Sequence, residues 1–251
     1  MRHVIVLIVV AGLGAPALAE AQSGAGAVVP FRGFVSVDGL FQATSNDFDT
    51  AVTFRANAED GEFTTDYTVK NGPAFDVSGG AMVWRQLGVG VGVSRFSRDT
   101  PARLTADVPH PFFFNRPREV SGDVGGLKRE ELAFHVQARG VFPLSPRLQL
   151  AVFGGPSFFK VKQGVVTAFD YDESYPYDTA AFRSATTDEV DESVIGFHAG
   201  ADVSYFFTQN VGVGGILRYA GASVDITAPD GDTVDVSVGG LQVGAGLRLR
   251  F

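Results

Sequence analysis

The chain runs to 251 residues, with 31 glycines, 22 phenylalanines, no cysteine and a formal net charge of −8. That acidic balance, without a basic patch to neutralise phosphates, excludes nucleic acid as a partner. The lack of cysteine excludes disulfides and a lipid-anchored mature terminus.

Met1-Arg2-His3 is a short, weakly basic start, followed by the apolar run Val4 to Val10 and by Ala11-Gly12-Leu13. Such a run falls short of the ~20 residues a spanning helix needs. Ala17-Leu18-Ala19 and Ala19-Glu20-Ala21 both offer a small-x-small cleavage pattern, so residues 1–21 read as a secretory signal cut after Ala19 or Ala21. Residues 22–30 then form a short segment before the first strand. Nothing downstream is long and apolar enough for a membrane-spanning helix, and the glycines lie inside alternating stretches, so any span must be built from strands.

Eight segments show period-two alternation with one clean apolar face. In the first, Phe31, Gly33, Val35, Val37, Gly39 and Phe41 oppose Arg32, Ser36, Asp38 and Gln42. The second sets Phe75, Val77, Ala81 and Val83 against Asp76, Ser78 and Trp84, and the third is Leu87-Gly-Val-Gly-Val-Gly-Val-Ser94. In the fourth, Leu132, Phe134, Val136, Ala138 and Phe142 oppose His135, Gln137 and Arg139; the fifth runs from Leu148 to about Val161. The sixth opposes Ile195, Phe197, Ala199, Ala201, Val203, Tyr205 and Phe207 to His198, Asp202 and Ser204. The seventh, from Val211 to Gly221, turns Arg218 inward. The eighth ends in Leu241 to Phe251, with Arg248 and Arg250 opposite an apolar face; its phase slips between Val238 and Leu241, which predicts a bulge at Gly239-Gly240.

Connections near Arg85-Gln86, Leu144 to Arg147 and Thr208 to Asn210 are short, whereas the others are long apart from a modest turn at Ala228-Pro229-Asp230-Gly231. Short turns at one end and long loops at the other are the sidedness of a membrane barrel, with lipid outside and a polar lumen inside. Phe31 and Phe41, and Phe197 and Phe207, share faces ten residues apart. Ten residues rise roughly 25 Å at a tilt near 40°, the height of a lipid-facing band. Phe31, Phe142, Tyr205, Phe207 and Phe251 then mark the short-turn end. A lipocalin-like cup is the soluble alternative, with the apolar face turned inward. Taken as loops, segments 44–72, 99–131, 164–192 and 227–233 hold 22 acidic and 8 basic residues, so the loops are acidic and the strands carry arginine.

With its signal, eight alternating strands, short and long connections and the C-terminal Gly246-Leu-Arg-Leu-Arg-Phe251, the chain resembles the outer-membrane β-barrel domain family, which includes the OmpA transmembrane domain and OmpX-type barrels. The resemblance covers residues 31–251 and rests on pattern rather than on a catalytic signature. It implies an all-β, eight-stranded antiparallel up-and-down transmembrane β-barrel in a Gram-negative outer membrane, with both termini, residues 22–30 included, in the periplasm. It also implies contact with outer-membrane lipids and lipopolysaccharide, and a terminal Phe251 read by the barrel-assembly machinery. The chain departs from OmpA in lacking a peptidoglycan-binding domain, which puts a cell-wall tethering role in doubt.

The expected lumen residues are Arg32, Asp38, Asp76, His135, Arg139, His198, Asp202, Arg218, Arg248 and Arg250, an Asp/Arg network that fills an eight-stranded barrel. Outside it, Glu59-Asp60-Gly61 is a hairpin signal, so strands one and two should continue outward as a hairpin; a ten-stranded count is the alternative. Phe112, Phe113 and Phe114 are costly to expose, and packing on the barrel rim is the favoured solution, ahead of the outer leaflet or a ligand. Asp170, Asp172, Glu173, Asp178, Asp188, Glu189, Asp191 and Glu192, with Arg183, read as a solvated acidic face rather than a divalent-cation site, since no EF-hand spacing is present. His198, Asp202 and Ser204 share a lumen face, but residues two apart on a strand lie ~7 Å apart at the backbone, too far for a nucleophile and its base. No catalytic, cofactor-binding or metal residue is therefore assigned. The sequence reads as a monomeric barrel with a structural or surface-interacting role (envelope integrity, adhesion or recognition through the loops), which leaves room for an extracellular ligand. A narrow diffusion channel is the alternative, and a lipid-modifying enzyme the third.

Overall fold

Alternation alone sends successive side chains to opposite faces of a strand, and in the computed structural model, which describes residues 32–227 and 233–251, it produces twelve strands among the described residues. They are β1 (Gly33–Gln42), β2 (Asn46–Ala56), β3 (Glu59–Val69), β4 (Gly72–Trp84), β5 (Leu87–Asp99), β6 (Ala102–Val108), β7 (Arg118–Val124), β8 (Lys128–Pro143), β9 (Leu148–Glu173), β10 (Ala180–Phe206), β11 (Val211–Thr227) and β12 (Thr233–Arg250). The expected signal, residues 22–30, Phe31 and the 228–231 turn lie outside the described residues.

Eight strands close a barrel in the order β1-β12-β11-β10-β9-β8-β5-β4, each antiparallel to its neighbours. The barrel is eight-stranded, not ten. Its seam joins the two ends of the described chain: Phe34 pairs with Arg250 and Gln42 with Gln242. Beyond Phe34, the Phe251 and Gly33 main chains exchange hydrogen bonds of 3.0 and 2.8 Å. Gly244 and Gly246 let the seam close, because a β-carbon there would sit 2.2 Å from the Gly39 carbonyl oxygen and 1.9 Å from that of Val37.

The faces sort as the alternation requires. Val37, Phe75, Val77, Val89, Val91, Leu132, Val136, Val203, Val213, Leu217, Val243 and Leu247 are exposed around the outside, where lipid takes the place of a core. Phe41, Phe75, Phe134, Phe158, Phe197 and Tyr219 lie toward the long-loop end; Phe142, Tyr205, Phe207 and Phe251 ring the short-turn end. Trp84 departs from expectation: it joins that lower ring instead of the lumen, 65% exposed, because the register of β4 against β5 shifts between Met82 and Trp84.

The acidic segments are not irregular loops. β2, β3, β6 and β7 form a separate four-stranded sheet, in the order β2-β3-β6-β7. β9 and β10 run on past the barrel as one hairpin, and β11 and β12 as another. The inner face of the small sheet (Phe48, Val52, Phe63, Tyr67, Leu104, Ala106, Val108 and Val120) packs on Val161, Val165, Val166, Val224, Val236 and Val238 of those extensions. The result is a head at the long-loop end of the barrel, with its own hydrophobic core. The hairpin foreseen beyond strands one and two is therefore β2–β3 of this sheet and not an extension of the barrel strands. It turns at Asn57-Ala58, both at positive φ (52° and 69°), as a two-residue loop; Asp60-Gly61 lies within β3.

The predicted phase slip near Gly239-Gly240 also resolves differently. Both glycines have positive φ (79° and 140°), yet pairing with β11 runs unbroken from Val211–Leu249 to Thr227–Thr233. Val236 and Val238 point inward like Gln242 and Arg248. What changes is the company of that face, from the head's apolar core to the polar lumen.

Candidate functional site

The lumen brings together nine of its ten expected residues. Asp38, Asp76, His135, Arg139, His198, Asp202, Arg218, Arg248 and Arg250 are all buried inside the barrel, while Arg32 precedes β1 and is exposed at the rim. Arg248 donates from Nη1 to Asp38 at 2.7 Å and from Nε to Asp202 at 2.8 Å, and its Nη2 also reaches Asp202. Arg139 approaches Asp202 at 3.5 Å and lies 4.6 Å over the Phe34 ring. Arg218 donates to Asp76 at 2.7 Å and to Gln242 at 2.8 Å, and Gln242 donates to Gln42. Arg250 donates to the Gln209 carbonyl and covers the Phe206 ring at 3.9 Å. Charges removed from water need such partners, and pairing them across six strands fills the barrel. Two small cavities of about 10 Å³ each lie among these side chains, roughly the space of one water.

The suspected His198, Asp202 and Ser204 grouping does not assemble as a triad. Ser204 donates to Asp202, which Arg248 already engages, and His198 turns instead to Ser157, 2.9 Å from its Nδ1. Ser157 also meets His135 Nδ1 at 2.8 Å, and His135 Nε2 meets Ser94 at 2.9 Å. A chain of four side chains thus crosses β5, β8, β9 and β10, every member almost fully buried. Alternation places all four inward, but their common height depends on the β8–β9 register that sets His135 opposite Ser157, which one sequence cannot supply. At the lumen's upper end Arg129 donates to Glu131 at 2.6 Å and to the Ser237 carbonyl at 2.8 Å, and Glu131 accepts from Gly239 N–H at 3.0 Å. This plate separates lumen from head.

The head is the second candidate region. Tyr67 of β3 accepts a hydrogen bond from Val166 N–H, 2.8 Å away on the edge of β9 that β8 no longer covers. Asn46 donates to the Gly239 carbonyl at 3.3 Å, tying β2 to β12. Between β2–β3 and β9 lies a cavity of about 460 Å³, with Phe169 set edge-on to Phe54 and Phe63, both at 5.3 Å, and Arg55 at its mouth. Burial, reinforced by the Glu173 carboxylate, pushes the Tyr171 hydroxyl in its wall above the usual range, against the opposing pull of Arg118.

At the distal end three turns are cross-linked. Buried Arg118 donates to Glu173 at 2.6 Å, to the Tyr177 carbonyl at 3.2 Å and to the Pro109 carbonyl at 3.0 Å. Asn57 donates to that same Pro109 carbonyl at 2.9 Å, and Glu59 accepts from Asn115 N–H at 2.9 Å. His110, also buried, accepts from Phe112 N–H and Phe113 N–H at 3.1 and 3.2 Å. Phe112, Phe113 and Phe114 do not pack on the barrel rim; they stand exposed on this tip, because β6 and β7 carry them to the far end of the small sheet. The acidic residues of the β9–β10 hairpin are largely taken up by cations: Asp170 and Asp172 by Arg183, Glu189 and Asp191 by Lys162, Glu173 by Arg118. Among the described residues no three or more His, Cys, Asp or Glu side chains converge as metal ligands.

Comparison with solved structures finds other barrels. The chain is similar to the outer membrane protein OprG from Pseudomonas aeruginosa at 11% identity, covering 88% of this chain and 97% of that one with a TM-score of 0.47. It is similar to Neisserial surface protein A (13% identity, 87% and 97% covered, TM-score 0.43) and to Ail, the attachment invasion locus protein of Yersinia pestis (14% identity, 87% and 99% covered, TM-score 0.39). No curated protein matches the chain. The sequence itself matches the outer membrane protein beta-barrel domain over residues 5–251, and the chain belongs to that outer-membrane β-barrel family.

Proposed function

We propose that this outer-membrane protein acts through its extracellular head, as an adhesion or recognition element carried on a plugged barrel. The observation that carries the reading is the division of labour between the two ends. The lumen is filled by ion pairs, with cavities of about 10 Å³, whereas the outer segments build a second sheet with its own core and a cross-linked tip. A scaffold needed only to span the membrane has no use for that investment, since outer loops are where such barrels can vary freely. Outer-membrane lipids and lipopolysaccharide surround the barrel wall, Phe251 serves as its assembly signal, and it works as a monomer.

The test compares the intact protein, displayed on a non-adherent bacterial host, with a variant whose residues 46–69 and 102–124 are replaced by short turns. Adherence to cultured epithelial cells should be lost while heat-modifiable barrel migration persists; equal adherence by both forms rejects the reading. A narrow diffusion channel is the alternative, favoured only by the excess of arginine among the strands. Planar-bilayer conductance of the purified protein should stay at baseline, and discrete steps would put the channel first. Catalysis ranks third. The Ser94-His135-Ser157-His198 chain pairs hydroxyls with imidazoles, but all four side chains are buried, and among the described residues both rings meet hydroxyls rather than an orienting carboxylate.

A further inference from the structure

We propose that the aromatic tip of the head inserts into a phospholipid bilayer facing the cell, with Arg116 engaging lipid phosphate; this rests on the reading of the head as an adhesion element. Phe112, Phe113, Phe114 and Tyr175 are 67%, 51%, 70% and 85% exposed. Contiguous apolar exposure on this scale marks an interaction site. The side chains are displayed by construction. His110 fixes the backbone of the triplet through Phe112 N–H and Phe113 N–H, Arg118 pins the flanking Pro109 and Tyr177 carbonyls, and Tyr177 meets the Phe112 ring edge-on at 5.5 Å.

The chemistry of the tip selects its occupant. Phenylalanine rings offer no donor or acceptor, so a glycan, which is read by hydrogen bonds, gains little here. From Pro109 to Pro117 there is no carboxylate and one exposed cation, Arg116, whose guanidinium lies 5.5 Å over the Phe113 ring. Carboxylates border this stretch, Glu59 on Asn115 N–H and Asp178 3.9 Å from His110, so the tip suits a zwitterionic phosphocholine surface better than an anionic one. Aromatic side chains below an arginine suit a bilayer, where rings lie under the headgroups and a guanidinium at their level binds phosphate in a fork. The protein's own membrane is out of reach. Fifteen residues of β9 separate Phe158 from Glu173 beside the tip, a rise of roughly 40 Å at ~3.3 Å per residue and a tilt near 40°.

The chain's single tryptophan makes the test direct. In a Trp84→Phe background, Phe113→Trp places the only indole at the tip, and the protein is held in nanodiscs of ordinary lipid. Adding phosphatidylcholine vesicles should shift the emission to the blue, and vesicles brominated in their acyl chains should quench it by half or more. Phe112→Ser with Phe114→Ser should abolish both effects, and Arg116→Glu should weaken them. Mixing phosphatidylserine into the vesicles should also reduce binding, because the acidic head is repelled. An unchanged spectrum, or quenching that survives the double serine change, overturns the proposal. Cell adherence that depends on the phenylalanines without vesicle insertion also overturns it in favour of a protein partner, and leaves the adhesion reading standing. Loss of adherence dependence on the whole head would instead remove that reading.

Discussion

Arg248 donates to carboxylates from two strands on opposite sides of the seam, Asp38 on β1 and Asp202 on β10. Removing one partner from a buried pair strands a charge, at a cost of about 3–5 kcal/mol, whereas neutralising the whole group is close to neutral. Arg248→Met should therefore lower the urea midpoint of the folded barrel sharply, and adding Asp38→Asn should recover part of the loss, while Asp202 keeps its Arg139 partner. The Asn57-Ala58 turn makes a second residue-level case. Ala58 sits at φ 69°, a conformation glycine adopts without strain. Ala58→Gly should stabilise the head by about 0.5–1 kcal/mol, read as slower proteolysis of residues 46–124. Residue identities on the lumen face were legible in the sequence, since alternation turned Asp38, Asp76, Asp202, Arg218 and Arg248 inward. Their partnerships were not, because an ion pair such as Arg218–Asp76 joins positions 142 residues apart in the chain.

The barrel strands could be read from one sequence because lipid and lumen impose opposite chemistry on alternate residues. The strands of the head escaped that reading for a physical reason. β2, β3, β6 and β7 alternate too, as Phe63, Thr65, Tyr67 and Val69 or Ala102, Leu104, Ala106 and Val108 do. Their outer faces are water-exposed and acidic, the composition of a surface loop, and β3 pairs with β6 across forty residues of chain that include two barrel strands. The same cause underlies the phase slip expected between Val238 and Leu241: Val238 is apolar because it faces the head's core, not lipid. Element-level stability should divide accordingly. Leu104, fully buried in the small sheet, should cost about 2–5 kcal/mol on change to Ala. Limited proteolysis of Leu104→Ala should open the head at residues 44–127 while the barrel keeps its heat-modifiable migration. Tyr67→Phe, which removes only the hydroxyl that accepts from Val166 N–H, should show the same pattern more weakly, by about 1 kcal/mol.

For the whole molecule, orientation follows from the sorting of connections. Arg85-Gln86, Leu144 to Arg147 and Thr208 to Asn210 close one end tightly, and the head occupies the other. A chain without cysteine allows this to be mapped one position at a time. Phe114→Cys should react with a membrane-impermeant maleimide on intact cells, and Leu144→Cys should react only after the outer membrane is permeabilised. The reverse pattern would invert the topology.

The seam between β1 and β12 carries a consequence for biogenesis. Val37 and Leu247 are direct neighbours in space but 210 positions apart in the chain, so each presents a bare row of amide and carbonyl groups until nearly everything between them has been delivered. Two unsatisfied edges of that kind are templates for aggregation. Pairing of β1 with β12 is therefore expected to form late, after the intervening strands are in place, and a pulse-labelled assembly series should show Val37–Leu247 contact as the final one to appear.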